Sequence, residues 1–158
     1  MRSNTVVTGF GIASILAAVL LLMLSSEEET GTPQTPVDHG RRLFKVQGCS
    51  SCHAIGGGVS RGPDLAGLIP RLTDRLSNEA YQRRLNILKE SRADVYALFT
   101  DDYVEILNTR EGDERIRVWL RMHFKNPRFD HFMGRMPTFA HLTARQVDHL
   151  TAFLFTLR

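Results

Sequence analysis

Residues 6–24 form a run of nineteen residues without a charge, in which Thr8 and Ser14 are the only polar side chains. As a helix rising about 1.5 Å per residue, the run spans roughly 28 Å, close to the hydrocarbon thickness of a bilayer. Beyond it the pattern changes twice. Residues 26–36 are polar and contain Gly31, Pro33 and Pro36, the composition of a flexible tether. From residue 37 onward apolar positions recur at helical spacing and little reads as a strand, which predicts an all-α domain over residues 37–158. A first helix opens at Thr35-Pro36-Val37-Asp38, with Pro36 near its first position, and carries Gly40, Leu43, Phe44 and Val46 up to Gly48. Residues 72–99 hold Leu76, Tyr81, Leu85, Leu88, Val95 and Leu98, the pattern of two helices broken near Ser91. Glu111-Gly112-Asp113 reads as a turn, and residues 116–124 as an amphipathic helix stopped by Asn126-Pro127. The last helix starts at Thr143, with Gln146 three residues on as a capping box, and shows Leu150, Phe153, Leu154 and Leu157 as its apolar face.

The flanks of the first run give it a direction. Arg2 precedes it and Glu27-Glu28-Glu29 follows, so the positive-inside rule leaves the N-terminus in the cytoplasm and the rest of the chain outside. A cleaved signal peptide is the competing reading. Its apolar segment would be shorter, and Leu22-Met23-Leu24-Ser25-Ser26 is a poor cleavage site, so an uncleaved anchor over residues 1–25 is expected. Removing anchor and tether leaves roughly 120 residues, the size of one domain. A formal charge of +3 without a basic stripe interleaved with aromatics speaks against nucleic acid.

The chemistry sits in Cys49-Ser50-Ser51-Cys52-His53, which contains both cysteines of the chain. C-x-x-C-H is the spacing of a c-type haem attachment site. Each thiol can add to one vinyl group of a porphyrin, and the adjacent imidazole reaches the iron as a usual proximal ligand. A zinc site would want a second ligand pair, and a redox dithiol would want a βαβ context. One covalent haem c is therefore expected, attached outside the cytoplasm.

With Gly40-x-x-x-Phe44 ahead of that motif, Gly62-Pro63-Asp64-Leu65-Ala66-Gly67 after it and Met136-Pro137-Thr138-Phe139 before the last helix, the chain resembles a class I monohaem cytochrome c with an N-terminal membrane anchor. The resemblance covers residues 37–70 and 115–157 well and 71–114 poorly. It implies a close crossing of the first and last helices at Gly40 and Phe153. It implies that the Pro63 carbonyl accepts a hydrogen bond from the His53 imidazole, and that the iron is ligated by His53 and Met136. Trp119, on the penultimate helix, is expected beside a haem propionate or edge, as a hydrogen-bond donor or packing wall. Met133 is the nearest competitor of Met136, and His123, His131, His141 and His149 are formal bis-His alternatives. Residues 71–114 are read either as a helical insert packing on a partner subunit or as a solvated excursion with its own small apolar seam.

The resemblance implies an electron carrier rather than an enzyme, in a respiratory or photosynthetic complex of oxidase, nitric oxide reductase or quinol-oxidising type. It places the haem domain on the periplasmic or outer side of the inner membrane. A haem-based gas sensor or redox enzyme with a labile sixth ligand is the alternative from another class, and a structural subunit with an incidental haem is a third.

Overall fold

A computed structural model describes residues 35–158; the apolar run 6–24 and most of the tether lie outside the described residues. Among the described residues there are seven α-helices and a short 3-10 turn at Cys49–Ser51. The helices are α1 Pro36–Val46, α2 Leu68–Arg75, α3 Asn78–Ser91, α4 Ala93–Leu98, α5 Thr100–Asn108, α6 Asp113–Lys125 and α7 Ala144–Leu154. None of these is long and apolar enough to cross a membrane.

Helix α1 starts where Thr35 accepts from the Asp38 N–H at 3.1 Å while Asp38 accepts from the Thr35 N–H at 3.2 Å. Helix α7 repeats the device, with the Gln146 side chain accepting from the Thr143 N–H at 2.9 Å. Each reciprocal pair satisfies two N–H groups that a helix start leaves without intrahelical partners. The two helices then cross at Gly40. A methyl group at that position would sit 2.0 Å from the His149 carbonyl oxygen and 2.7 Å from the Phe153 Cβ. Only a residue without Cβ permits the approach, and it brings the rings of Phe44 and Phe153 to 5.4 Å.

Residues 71–114 depart from the reading as a solvated excursion. They build α3, α4 and α5 and contribute Leu72, Leu76, Tyr81, Leu85, Leu88, Tyr103 and Ile106 to the same buried cluster as Phe44, Trp119 and Phe153. The insert is therefore part of the main core and not an excursion with a seam of its own. The two helices expected over 72–99, broken near Ser91, are α3 and α4, with the end of α2 before them. Ser77 caps α3 by accepting from the Ala80 N–H, and α5 begins after Phe99. Its first turn, Thr100-Asp101-Asp102, is polar, and Tyr103 and Ile106 one turn apart are both buried.

Arg115 fastens the insert to α6. It is 2 % exposed, and its guanidinium donates to the carbonyls of Leu76, Leu107 and Thr109 and to Asn78 Oδ1. A buried cation is tolerated when its donors are all occupied, and here most acceptors are the carbonyls at the ends of α2 and α5.

Candidate functional site

The Cys49–Ser51 turn is short because Gly48 takes φ +73°, a left-handed conformation that ends α1 and that a glycine adopts without strain. The turn returns the Cys52 and His53 N–H groups to the Cys49 carbonyl at 3.1 and 2.9 Å. Both thiols are free and half-buried; Cys49 packs against the core, and burial pushes its thiol pKa up.

His53 is the most constrained side chain of this segment. Its Nδ1 lies 2.9 Å from the Pro63 carbonyl oxygen. A carbonyl can only accept, so Nδ1 carries the ring proton and Nε2 keeps its lone pair for an electrophile. The ring lies against the backbone of Gly62, where a Cβ would come within 2.5 Å of Cε1 and 2.8 Å of Nδ1. Gly62 donates to the Cys52 carbonyl at 2.8 Å and Leu65 to the Ala54 carbonyl at 2.8 Å, so the loop folds back on the strand of chain that bears His53.

The opposite segment rides on the end of α6. Phe139 donates its N–H to the Phe124 carbonyl at 2.8 Å, and Thr138 donates its hydroxyl to the Lys125 carbonyl at 2.6 Å. Met136 is half-buried and packs against the core, whereas Met133 is 72 % exposed. The histidines divide in the same way. His131 faces Arg84 at 3.2 Å, His141 faces Gln47 at 3.1 Å, and His149 stacks on His39 with centroids 4.8 Å apart. Only His123 of the four sends a nitrogen into the interior, where Nδ1 is sealed without a hydrogen-bond partner.

Below this lies a buried polar group that the sequence reading missed. Asp130 has a fully buried side chain. Its Oδ2 accepts from Trp119 Nε1 at 2.8 Å and from Arg75 Nη2 at 3.0 Å. Its backbone carbonyl accepts from Arg84 Nη2 at 3.0 Å, and the neighbouring Phe129 carbonyl accepts the Tyr103 hydroxyl. The indole has a single donor, and Trp119 gives it to the Asp130 carboxylate. Its ring is a wall, stacked on His123 with centroids 4.4 Å apart and an interplanar angle of 18°.

Burial is the main cause that pulls the His123 pKa down to about 4; Arg75, His53 and His131 push in the same direction and Asp130 against it. An unfolded histidine takes up its proton near pH 6.5. Below that pH the unfolded chain holds a proton that the folded chain refuses, so stability falls as pH drops from about 6.5 to about 4. The loss over this window is on the order of 2–3 kcal/mol at about 1.4 kcal/mol per unit. His123→Phe is expected to flatten it. Urea midpoints at pH 7 and pH 4.5 check this, and an equal acid loss in both proteins would refute it.

A family model, that of cytochrome c, matches residues 37–158. The chain belongs to the cytochrome c family. No curated protein and no solved structure matches it. A cytochrome c domain binds haem c covalently, typically one per domain, and carries electrons. The donor set fits that group. Two free thiols stand with two residues between them, an imidazole with its Nδ1 proton already engaged follows directly, and Gly62 leaves the space that the imidazole ring occupies.

Proposed function

We propose that this cytochrome c is a membrane-anchored electron carrier, with residues 6–24 as its anchor and its haem domain on the outer side of the membrane. The observation that carries the ligand assignment is the His53–Pro63 hydrogen bond in its C-x-x-C-H setting. Cys49 and Cys52 would hold the macrocycle as thioethers. His53 would offer Nε2 to the iron, and Met136 its thioether from the segment held by Phe124 and Lys125. When bound, the haem supplies one-electron chemistry at iron, with no bond made or broken in a substrate.

The residues then do three things. Pro63 fixes the tautomer and orientation of His53 and raises its basicity, which favours the ferric state. The Met136 sulfur, a soft ligand, favours the ferrous state and raises the potential. Trp119 and His123 close the interior behind α6. The anchor is supported by the nineteen uncharged residues and the tether that follows them. It would confine the haem near membrane partners and raise its effective concentration there. A respiratory or photosynthetic membrane complex is the setting that this arrangement suits.

Met136→Ala tests the ligation. The wild-type haem protein is expected to be low-spin, to show the weak far-red charge-transfer band of iron–sulfur ligation and to ignore carbon monoxide. The variant is expected to lose that band, bind carbon monoxide and drop in potential by about 0.1–0.3 V, a part of the roughly 0.8 V that axial ligands span. A wild-type protein that is already high-spin and binds carbon monoxide would place the gas sensor or enzyme first.

A further inference from the structure

The loop that presents the Pro63 carbonyl is held by two charged side chains that the ligand set leaves unused. The peptide unit bearing the Pro63 oxygen ends at the nitrogen of Asp64, and Asp64 is fixed from both sides. Its carboxylate accepts three backbone N–H bonds, from Gly56 at 2.9 Å, Gly58 at 2.5 Å and Ala66 at 2.8 Å. Its own carbonyl accepts from Arg71 Nη2 at 2.5 Å, while Arg71 Nη1 donates to the Ala66 carbonyl. Arg71 stands on α2, so the fork ties the loop to a helix whose Ile69 and Leu72 are in the core.

Bonds to an ionised acceptor or donor are about twice as strong as neutral ones. Five of them converge on a segment three residues long, Asp64 to Ala66. The three N–H groups also hold the Asp64 carboxyl below the usual carboxylate range, with help from the Arg71 charge. By contrast Pro63 has no N–H of its own, and its carbonyl is positioned only through its neighbours.

We propose that Asp64 and Arg71 are a positioning pair that sets the strength of the Pro63–His53 hydrogen bond, and through it the reduction potential of the haem. The proposal rests on the His53 ligation argued above. A shorter bond gives the imidazole more anionic character and stabilises ferric iron; a loosened loop weakens the bond and favours the ferrous state.

The two members carry opposite charges, and this separates positioning from simple electrostatics. Losing the negative charge in Asp64→Asn favours ferrous iron on charge grounds alone, whereas losing the positive charge in Arg71→Met disfavours it. If the pair acts through Pro63, both variants raise the potential. Arg71→Lys keeps the charge but loses the fork to two carbonyls, so it too raises the potential.

The experiment is a redox titration of the wild-type haem protein and the three variants, with NMR exchange of the His53 Nδ1 proton on the same samples. The expected result is a shift of about threefold or more in the reduction equilibrium, upward in all three, roughly 30 mV at 59 mV per tenfold. Exchange of the Nδ1 proton should quicken in parallel. Opposite shifts in Asp64→Asn and Arg71→Met, or no shift in Arg71→Lys, would overturn the proposal. Should Asp64→Asn fail to load haem, the two Arg71 variants decide alone. The wild-type spectrum reports separately on whether His53 and Met136 are the ligands, so failure of that reading is seen without reference to the variants.

Discussion

Gly40→Ala is expected to lower the stability of the haem domain by about 3 kcal/mol, although alanine is the better helix former. The intrinsic gain from glycine to alanine inside a helix is about 1 kcal/mol. Against it stands a contact that cannot be relieved by a rotamer. The new methyl would lie 2.0 Å from a backbone oxygen of α7 and 2.7 Å from its carbonyl carbon. Carbon and oxygen do not approach closer than about 3 Å without a bond, so the helices must part by about 1 Å. Overpacking costs about 1–3 kcal/mol and occasionally more; a clash with backbone that also loosens Phe44 against Phe153 and the fit of Val147, Leu150 and Leu154 is expected to cost about 4 kcal/mol, which leaves about 3 after the helical gain. At a urea slope of about 2 kcal/mol per molar, the midpoint should fall by more than 1 M with the slope unchanged. A midpoint equal to wild type would mean that α1 and α7 do not meet at Gly40.

The parts of the molecule legible in its sequence are those with local signatures. The capping box at Thr143 needs only residues three apart, and it forms; the first helix opens at Thr35, with Pro36 at its start. The Pro63 carbonyl lies on His53 Nδ1, as the resemblance implied. The close crossing at Gly40 and Phe153 was visible through resemblance and is present. What escaped reading has no period. Helix α5 opens on Asp101 and Asp102, which suit a helix N-terminus but add nothing to an apolar period. Asp130 lies in the unpatterned stretch after α6, and its partners Arg75 and Arg84 are 55 and 46 residues away. A pairing at that separation depends on how α2, α3 and α6 pack. The charges of the insert supported the solvated alternative, yet Arg75 and Arg84 turn inward to the Asp130 carboxylate and carbonyl.

Asp130 makes the second large prediction, and it bears on what Trp119 does. Asp130→Ala is expected to cost about 3 kcal/mol. Breaking a buried ion pair by removing one partner costs about 3–5 kcal/mol, but Arg75 retains access to solvent through a side chain 32 % exposed, which reduces its share. The Trp119 N–H has no such escape: the residue is 4 % exposed, and an unsatisfied buried donor costs about 1–3 kcal/mol. Asp130→Asn should lie between wild type and alanine, since one carbonyl oxygen can still serve one of the two donors. The decisive comparison is a double-mutant cycle with Trp119→Phe, which removes the donor and keeps an aromatic wall against His123. If the indole donates to Asp130, the double variant is more stable than the sum of the two losses by about 1–2 kcal/mol, the coupling expected of residues in direct contact. If the indole instead served a haem propionate, the two losses would add. Denaturation of the four haem proteins measures the difference. A coupled result leaves the insert's Arg75 and the penultimate helix's Trp119 sharing one carboxylate, so the insert would be a structural support of α6, on whose end the Met136 segment rides.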